Sequence, residues 1–421
     1  MRLTGFTLIF TVCSVEGAAR ADLADRHAFV TSVTGGGDLG TWSDAGAATG
    51  LDAGDAICRK RAQDATLPNA SSYRAWLSSS TVDAYCHVFG LSGTKADACG
   101  GFGPAASSMG PWLRMDETPF AAALADLLSP GNEVYQPVRF DELGHVIPDS
   151  PAAWVWTGST EDGVAAASTC NDWVSGDAGD GALVGITSGV GREWTDFASP
   201  LGCNAANAHL LCLDAGRGTP LPKRRASGFI VFVTSVGGSG DLALWPDAAT
   251  HTGIDAGDEI CRRRAIAGAL PDPSSFVAWL SDETVKATDR VTADGPFVRV
   301  DGFELAPSKS ALLGAHPAIE TGLNVTELES YYAEPPGWWQ LGAWTGTSED
   351  GTSAFANCEN WTTSGNQGIS GDSNEAQALW TMVSQASCGM THPLYCFSNV
   401  EQLAWDNFER GDTSRWSLQH P

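Results

Sequence analysis

Two acidic pairs stand in matching contexts. Glu161-Asp162-Gly163 follows Trp156-Thr157-Gly158-Ser159, and Glu349-Asp350-Gly351 follows Trp344-Thr345-Gly346-Thr347. Adjacent carboxylates on a loop supply hard oxygen ligands, so Glu161, Asp162, Glu349 and Asp350 are candidate calcium ligands. Asp177 to Asp180 and Gly371 to Asn374 lie nearby in sequence and offer further oxygens. The competing explanation is a turn, where Asp-Gly is favoured for backbone reasons alone. A second candidate set is aromatic. Trp112, Tyr135, Tyr331, Tyr332, Trp338 and Trp339 fall where the two halves of the chain differ. Binding residues concentrate on variable loops carried by a rigid scaffold, so these six are the expected ligand contacts. Enzyme patterns are missing: there is no G-x-S-x-G, no P-loop, no dinucleotide fingerprint, and no histidine with a nucleophile at matching spacing. No C-x-x-C or H-E-x-x-H offers zinc ligands. The chain reads as a non-enzyme, with calcium the one cofactor to consider.

The elements that must position these residues occur twice. Phe29-Val30-Thr31-Ser32-Val33 returns as Phe232-Val233-Thr234-Ser235-Val236, and Asp52-Ala53-Gly54-Asp55 returns as Asp255-Ala256-Gly257-Asp258. Trp42, Cys58 and Trp76 recur as Trp245, Cys261 and Trp279, each 203 residues on. Trp156, Cys170 and Trp173 recur as Trp344, Cys358 and Trp361, each 188 residues on. The second copy is thus 15 residues shorter by that point (203 − 188). Two long copies predict two tandem domains, 28–213 and 229–398, rather than a solenoid of short units. Residues 214–228 are rich in Pro, Gly and basic side chains and read as a linker.

Each copy opens with an apolar run that predicts a strand, followed by a Gly-rich turn. Asp55 and Asp258 are expected as helix caps before Ile57–Ala62 and Ile260–Ala265. Leu67-Pro68 and Leu270-Pro271 stop those helices. Short strands follow at Tyr73–Ser78 and Phe276–Ser281, and Trp-centred strands close each copy. The middle third looks irregular and least alike. The fold class is α+β with much loop. The repeated Trp76, Trp156 and Trp173 and their mates are expected in cores.

Charge narrows the partners. With 24 basic and 50 acidic side chains, the net charge of −26 repels nucleic acid and heparin-like polyanions. Hydrophobic residues make up 43% of the chain, enough for real cores. No stretch approaches a membrane-spanning helix. Residues 1–21 read as an export signal, with Arg2 first, an apolar run, and Ala19-Arg20-Ala21 as cleavage site. Cys13 would leave with it, and ten of the 11 cysteines remain. Export with an even number favours disulfides. Residues 399–421 form a polar tail.

The order Cys58, Arg74-Ala75-Trp76-Leu77-Ser78, Trp156-Thr157-Gly158-Ser159, Cys170-Asn171-Asp172-Trp173, Cys203 and His209-Leu210-Leu211-Cys212 resembles the endostatin domain of certain collagens and related exported bacterial domains. The second copy repeats it with Cys261, Trp279, Trp344, Cys358, Trp361, Cys388 and Cys396. The resemblance covers both copies and implies two disulfide-stapled domains of C-type-lectin-like fold. It implies nested disulfides, Cys58–Cys212 around Cys170–Cys203, and Cys261–Cys396 around Cys358–Cys388. Cys86 and Cys99 would then pair locally. The chain departs from endostatin in its acidity, so heparin binding is not carried over. Only His27 lies near the start of the first domain, so neither is its zinc site. The function expected is non-catalytic binding or adhesion outside the cell, secreted or at the cell surface, to a protein or glycan. The alternatives are a calcium-dependent lectin and an enzyme on the same fold.

Overall fold

Helix α1 (Gly50–Asp64) and its repeat mate show how the copied sequence folds. The computed structural model describes residues 25–128, 130–148, 153–197, 200–221, 226–332 and 342–405. The proposed export signal and the basic Lys223-Arg224-Arg225 run lie outside these residues. In the first copy the helix is preceded by β1 (Ala28–Val30). It is followed by β2 (Tyr73–Ala75), β3 (Trp112–Leu113), β4 (Pro119–Ala121), β5 (Trp154–Trp156), β6 (Val184–Ile186) and β7 (His209–Asp214). The second copy runs β8 (Ala226–Val233), α2 (Gly253–Ala267), β9 (Phe276–Ala278), β10 (Phe297–Arg299), β11 (Glu304–Ala306), β12 (Ala343–Trp344), β13 (Gln367–Gly371), β14 (Ser384–Ser387), β15 (Tyr395–Ser398) and β16 (Gln402–Trp405).

The pairing is the same in both copies. The last core strand lies antiparallel to the first and second: β7 pairs β1 and β2, and β15 pairs β8 and β9. It also meets the first Trp-centred strand in parallel, through Trp156↔Leu210 in one copy and Trp344↔Leu394 in the other. The chain is α+β, as expected.

Helix α1 begins at Thr49/Gly50, five residues before Asp55, so Asp55 is not a cap. The Asp-Ala-Gly-Asp repeat is instead a packing and charge device. A Cβ on Gly54 would sit 2.6 Å from Leu77 Cδ1, and one on Gly257 would sit 2.7 Å from Leu280 Cδ1. Glycine there lets the helix lie directly on the sheet. Asp55 is buried beneath it. Its Oδ1 accepts from the Ala75 N–H at 3.0 Å, and its Oδ2 accepts from Arg74 at 2.6 Å. Burial pushes this carboxyl up, but His87, Arg74 and the Ala75 N–H outweigh that and hold it below the usual range.

Both cores are built on matched tryptophans. Trp76, Trp156 and Trp173 are fully buried, as are Trp279, Trp344 and Trp361. Each indole N–H is satisfied by an equivalent acceptor. Trp76 donates to Thr195 Oγ1 at 2.8 Å and Trp279 to Thr381 Oγ1 at 2.9 Å. Trp173 donates to the Ser78 carbonyl and Trp361 to the Ser281 carbonyl. A buried ring with a satisfied N–H gives both packing and orientation.

The disulfides are Cys58–Cys212, Cys170–Cys203, Cys261–Cys396, Cys358–Cys388 and Cys86–Cys99. These are the pairs that the resemblance implies. Cys170 to Trp173 and Cys358 to Trp361 form a single left-handed turn of four residues, with φ of 48–66° and 50–64°. Non-glycine residues rarely sit there, at about 1–2 kcal/mol each. The adjoining disulfide and the buried Trp hold the turn.

Two expectations about segment boundaries change. Asp214 ends β7 and is fully buried, accepting from Arg26 at 2.7 Å and from Ser72. Ala226 to Gly228 open β8 and pair with β16, which lies in the expected tail. The linker is therefore shorter than 214–228, because both of its ends are recruited into sheets. The remainder of the tail, 406–421, lies outside the described residues.

The middle third is also less irregular than expected. Gly110-Pro111-Trp112-Leu113-Arg114-Met115-Asp116 matches Gly295-Pro296-Phe297-Val298-Arg299-Val300-Asp301 at a spacing of 185. Both Gly-Pro bonds are cis, and both segments form a hairpin, β3–β4 and β10–β11. The second copy thus loses 18 residues (203 − 185) and regains three (188 − 185). The lost stretch is the loop that Cys86–Cys99 staples in the first copy.

Candidate binding cleft between the two copies

The repeated Arg-x-Asp unit places one face of each hairpin against the other copy. Arg114 is fully buried and forks onto Asp116, with Nε to Oδ1 at 3.1 Å and Nη2 to Oδ2 at 2.6 Å. Arg299 repeats the fork onto Asp301 at 3.2 and 2.7 Å. Planar two-point pairing fixes both guanidinium and carboxylate. Arg299 then reaches the Gly322 carbonyl at 2.9 Å and, across the boundary, the Tyr135 carbonyl at 3.3 Å. Thr321 Oγ1 donates to the same Tyr135 carbonyl at 2.7 Å. Arg139 donates to Glu320 at 2.6 Å and to the Ile319 carbonyl at 2.9 Å.

These contacts frame a cleft of about 530 Å³. The first copy contributes the Gly110-Pro111 turn, Glu133 and Tyr135; Arg217, Gly218, Pro220 and Leu221 follow it; the second copy contributes Asp301, Phe303, Glu329 and Tyr331. Tyr135 stacks on Phe303, with centroids 4.6 Å apart and planes at 14°. Tyr331 donates its hydroxyl to Asp301 Oδ2 at 3.0 Å. The volume is that of a small-ligand or side-chain site, formed where the two copies meet.

Its described lining carries three carboxylates, Glu133, Asp301 and Glu329, against one guanidinium, Arg217. Burial, then Asp126 and Asp301, raise the Glu133 carboxyl. Burial, followed by Glu133, Asp126 and Asp301, pushes Tyr135 up to about 12. Burial and then Asp301 push Tyr331 well above its ordinary value. Both tyrosines are therefore neutral hydroxyls at physiological pH, and their rings carry the negative π face that attracts cations. Among the described residues, apart from the tyrosines, the lining holds one hydroxyl, Ser107, and no histidine or thiol.

The structure separates the aromatic candidates. Tyr135 and Tyr331 come together in the cleft although they are 196 residues apart in sequence (331 − 135). Tyr332 packs against the second copy's core, and its N–H donates to the Asn324 carbonyl at 2.7 Å. Trp112 is a correction: it is fully buried, with its indole N–H on the Asp214 carbonyl at 3.0 Å. It occupies the position of buried Phe297, so it is a shared core residue and not a copy-specific loop aromatic. Trp338 and Trp339 lie outside the described residues. Sequence reasoning missed Arg114, Arg299, Asp301 and Phe303. The repeated Gly-Pro-x-x-Arg-x-Asp was the available signal, hidden by the change of spacing.

The acidic candidates sit in turns on separate copies. Gly163 and Gly351 take φ of 71° and 79° there. Glu161 faces Arg192 at 3.8 Å, and the Asp162 carbonyl accepts from Lys95 at 3.1 Å. Asp350 Oδ1 accepts from Thr352 Oγ1 at 2.6 Å and its N–H at 3.0 Å, which holds the carboxyl below its usual range. Glu349 accompanies Asp350 on that turn, with its carbonyl accepting from the Gly314 N–H at 2.7 Å. Among the described residues, no group of three or more His, Cys, Asp or Glu is arranged to hold a metal ion. His209 and His392 are both buried and held neutral by burial. The bridges Gly35↔Ala208 and Gly238↔His392 place His392 at the position of the first copy's Ala208, so the two histidines are not equivalent.

A second seam joins the copies. The Val190 N–H donates to the Asn374 carbonyl at 2.8 Å, and Gly189 bridges Glu375. Buried Asp372 of the second copy hydrogen-bonds Glu193 of the first. Burial pushes Asp372 up to about 6, so this carboxyl pair holds a proton in mildly acid solution. Among the described residues, no helix is long and apolar enough to cross a membrane. Comparison with protein-family models finds no match, and neither does comparison with curated proteins.

Proposed function

We propose that this chain is an exported, non-catalytic binding protein of two endostatin-like domains with C-type-lectin-like fold. Its boundary cleft takes a cationic segment of an extracellular protein. The fold reading is supported by the nested disulfides and by the sandwiching of each copy's last core strand between its first and second strands. Export is supported by the five disulfides, which persist in oxidising compartments.

The observation that carries the function is the composition of the cleft. Both copies contribute, three rings wall it, and the three carboxylates Glu133, Asp301 and Glu329 outnumber the one guanidinium, Arg217. A lysine or arginine side chain fits that chemistry twice over, through carboxylates at its head and ring faces along its length. The chain's overall charge would speed such encounters.

The test is selection from a random displayed heptapeptide library by the immobilised oxidised chain. Enrichment of Lys or Arg, lost when Tyr135 and Glu133 are replaced by Ala and Gln, is expected. Enrichment that is neutral or acidic, or that survives both replacements, sinks the reading.

A further inference from the structure

A groove of about 630 Å³ lies on the second copy alone, away from the cleft. Its lining is Phe355, Asn357, Glu359, Asn366, Gln367 and Gln385, with Glu283 and Ser387 at the edge. Phe355 is 76% exposed. The side chains of Gln367 and Gln385 make no hydrogen bond among the described residues, while Asn366 donates to Glu359. Among the described residues, the lining contains no Lys, Arg or His.

The first copy supplies the control. The bridges Thr169↔Ala182 and Asn357↔Gly368 align Gly181 with Gln367. The pairings Ala182↔Leu201 and Gly368↔Ala386 align Pro200 with Gln385 and Gly202 with Ser387. Ala167 stands where Phe355 does, and Ser80 where Glu283 does. The frame therefore folds with Ala, Gly, Pro and Gly at these places. The aromatic ring and the amides of the second copy are additions that the fold does not require.

The frame beneath them is stiff. Glu359 sits on the left-handed turn, and the Cys358–Cys388 disulfide ties the 355–359 segment to the 385–387 edge. A rigid support lowers the ordering cost of binding.

The geometry points to this groove as a calcium-independent binding site for a neutral carbohydrate chain. Side-chain amides both donate and accept, which matches vicinal hydroxyls, and carboxylates accept from hydroxyl pairs. An exposed ring offers the apolar face on which a pyranose C–H face stacks. The lack of basic side chains argues against phosphorylated or sulfated ligands, as does the net charge of −26. This site requires neither Tyr135 nor Tyr331, so it stands or falls apart from the cleft.

The experiment is affinity electrophoresis of the full oxidised chain through gels holding one soluble neutral polysaccharide each, with EDTA present. The panel is hydroxyethyl cellulose, xylan, glucomannan, galactomannan, laminarin and glycol chitin. Retardation by at least one of them is expected. Phe355→Ala and Gln385→Ala should each weaken it about tenfold or more, equivalent to about 1.4 kcal/mol. Tyr135→Ala should leave it unchanged. Both groove residues are exposed, so an unaltered melting temperature will show that these variants still fold. No retardation across the panel overturns the proposal. So does retardation that Phe355→Ala and Gln385→Ala leave intact, or that EDTA abolishes.

Discussion

The two copies solve one folding problem with different side chains, and their differences mark where each is free to specialise. The repeated Asp inside the helix, buried in the first copy and half-buried in the second, shows this best. In the first copy, His87 lies 3.4 Å from Asp55 and contacts the Ala75 carbonyl at 3.1 Å. In the second, Arg290 contacts Asp258 and reaches the Ala278 carbonyl at 2.7 Å. Imidazole and guanidinium thus clip the same carboxylate to the same strand. Arg74 adds a guanidinium in the first copy, where the second has Val277, and Arg59 and Arg262 lie 3.5 and 3.7 Å from the two carboxylates. Such a site tolerates a change of partner but requires one, since an unpaired buried carboxylate is destabilising. The grooves differ in the opposite sense. There the surroundings demand nothing, and Ala167 and Phe355 are both compatible with the fold.

The largest expected effect treats the copies alike. Cys58→Ala with Cys212→Ala opens a link spanning 154 residues, and the Cys261/Cys396 pair one of 135. Each should lower the melting temperature of its own copy by about 10–20 °C, from about 5 kcal/mol. A large difference between the two losses, read by calorimetry, would break the equivalence of the frames. Next, Asp55→Ala should cost about 3–5 kcal/mol by stranding its buried partners. Because its native carboxyl is held low, Asp55 contributes stability above about pH 4 that is lost as pH falls through its folded value. Chemical denaturation from pH 7 to pH 3 should therefore show the wild type converging on Asp55→Asn in acid.

Cys86→Ala with Cys99→Ala should act on the first copy only, by about 3 kcal/mol or less, because the link spans 13 residues. Destabilisation of the second copy by this pair would contradict the assignment of the loop as an insertion. The smallest effect concerns the seam. Asp372 is raised by burial from 3.8 to about 6, so its penalty is absent below the lower value and complete above the higher. Relative to Asp372→Asn, the wild type should lose melting temperature between about pH 4 and pH 6 and run parallel outside that window. A constant difference across the range would remove the shared proton from the account.

The repeat, the α+β class, the strand at each end of a copy and the tryptophan cores were legible because they rest on local patterns and a constant spacing. The Asp55 cap was misread because an Asp before an apolar run looks the same whether it starts a helix or sits one turn inside it. Only the tertiary approach of Ala75, with glycine at 54, decides between them. Trp112 was misread because the loop before it changes length, which concealed its match to Phe297. Tyr135 and Tyr331 were found by their position in variable segments, but their meeting was not foreseeable. It depends on how the two copies dock, and no spacing within one copy encodes that. The groove escaped because Phe355 has no partner residue to recur with.

The proposed function requires the cleft between the copies to bind a cationic side chain through contributions from both. The direct measurement is calorimetric titration of the oxidised chain with acetyl-Gly-Lys-Gly-amide and its Arg counterpart, at low and high salt. Saturable binding that weakens with salt and falls about tenfold or more in both Glu133→Gln and Tyr331→Ala is the predicted result. No binding of either peptide at millimolar concentration, or binding that one of these variants leaves untouched, would contradict it.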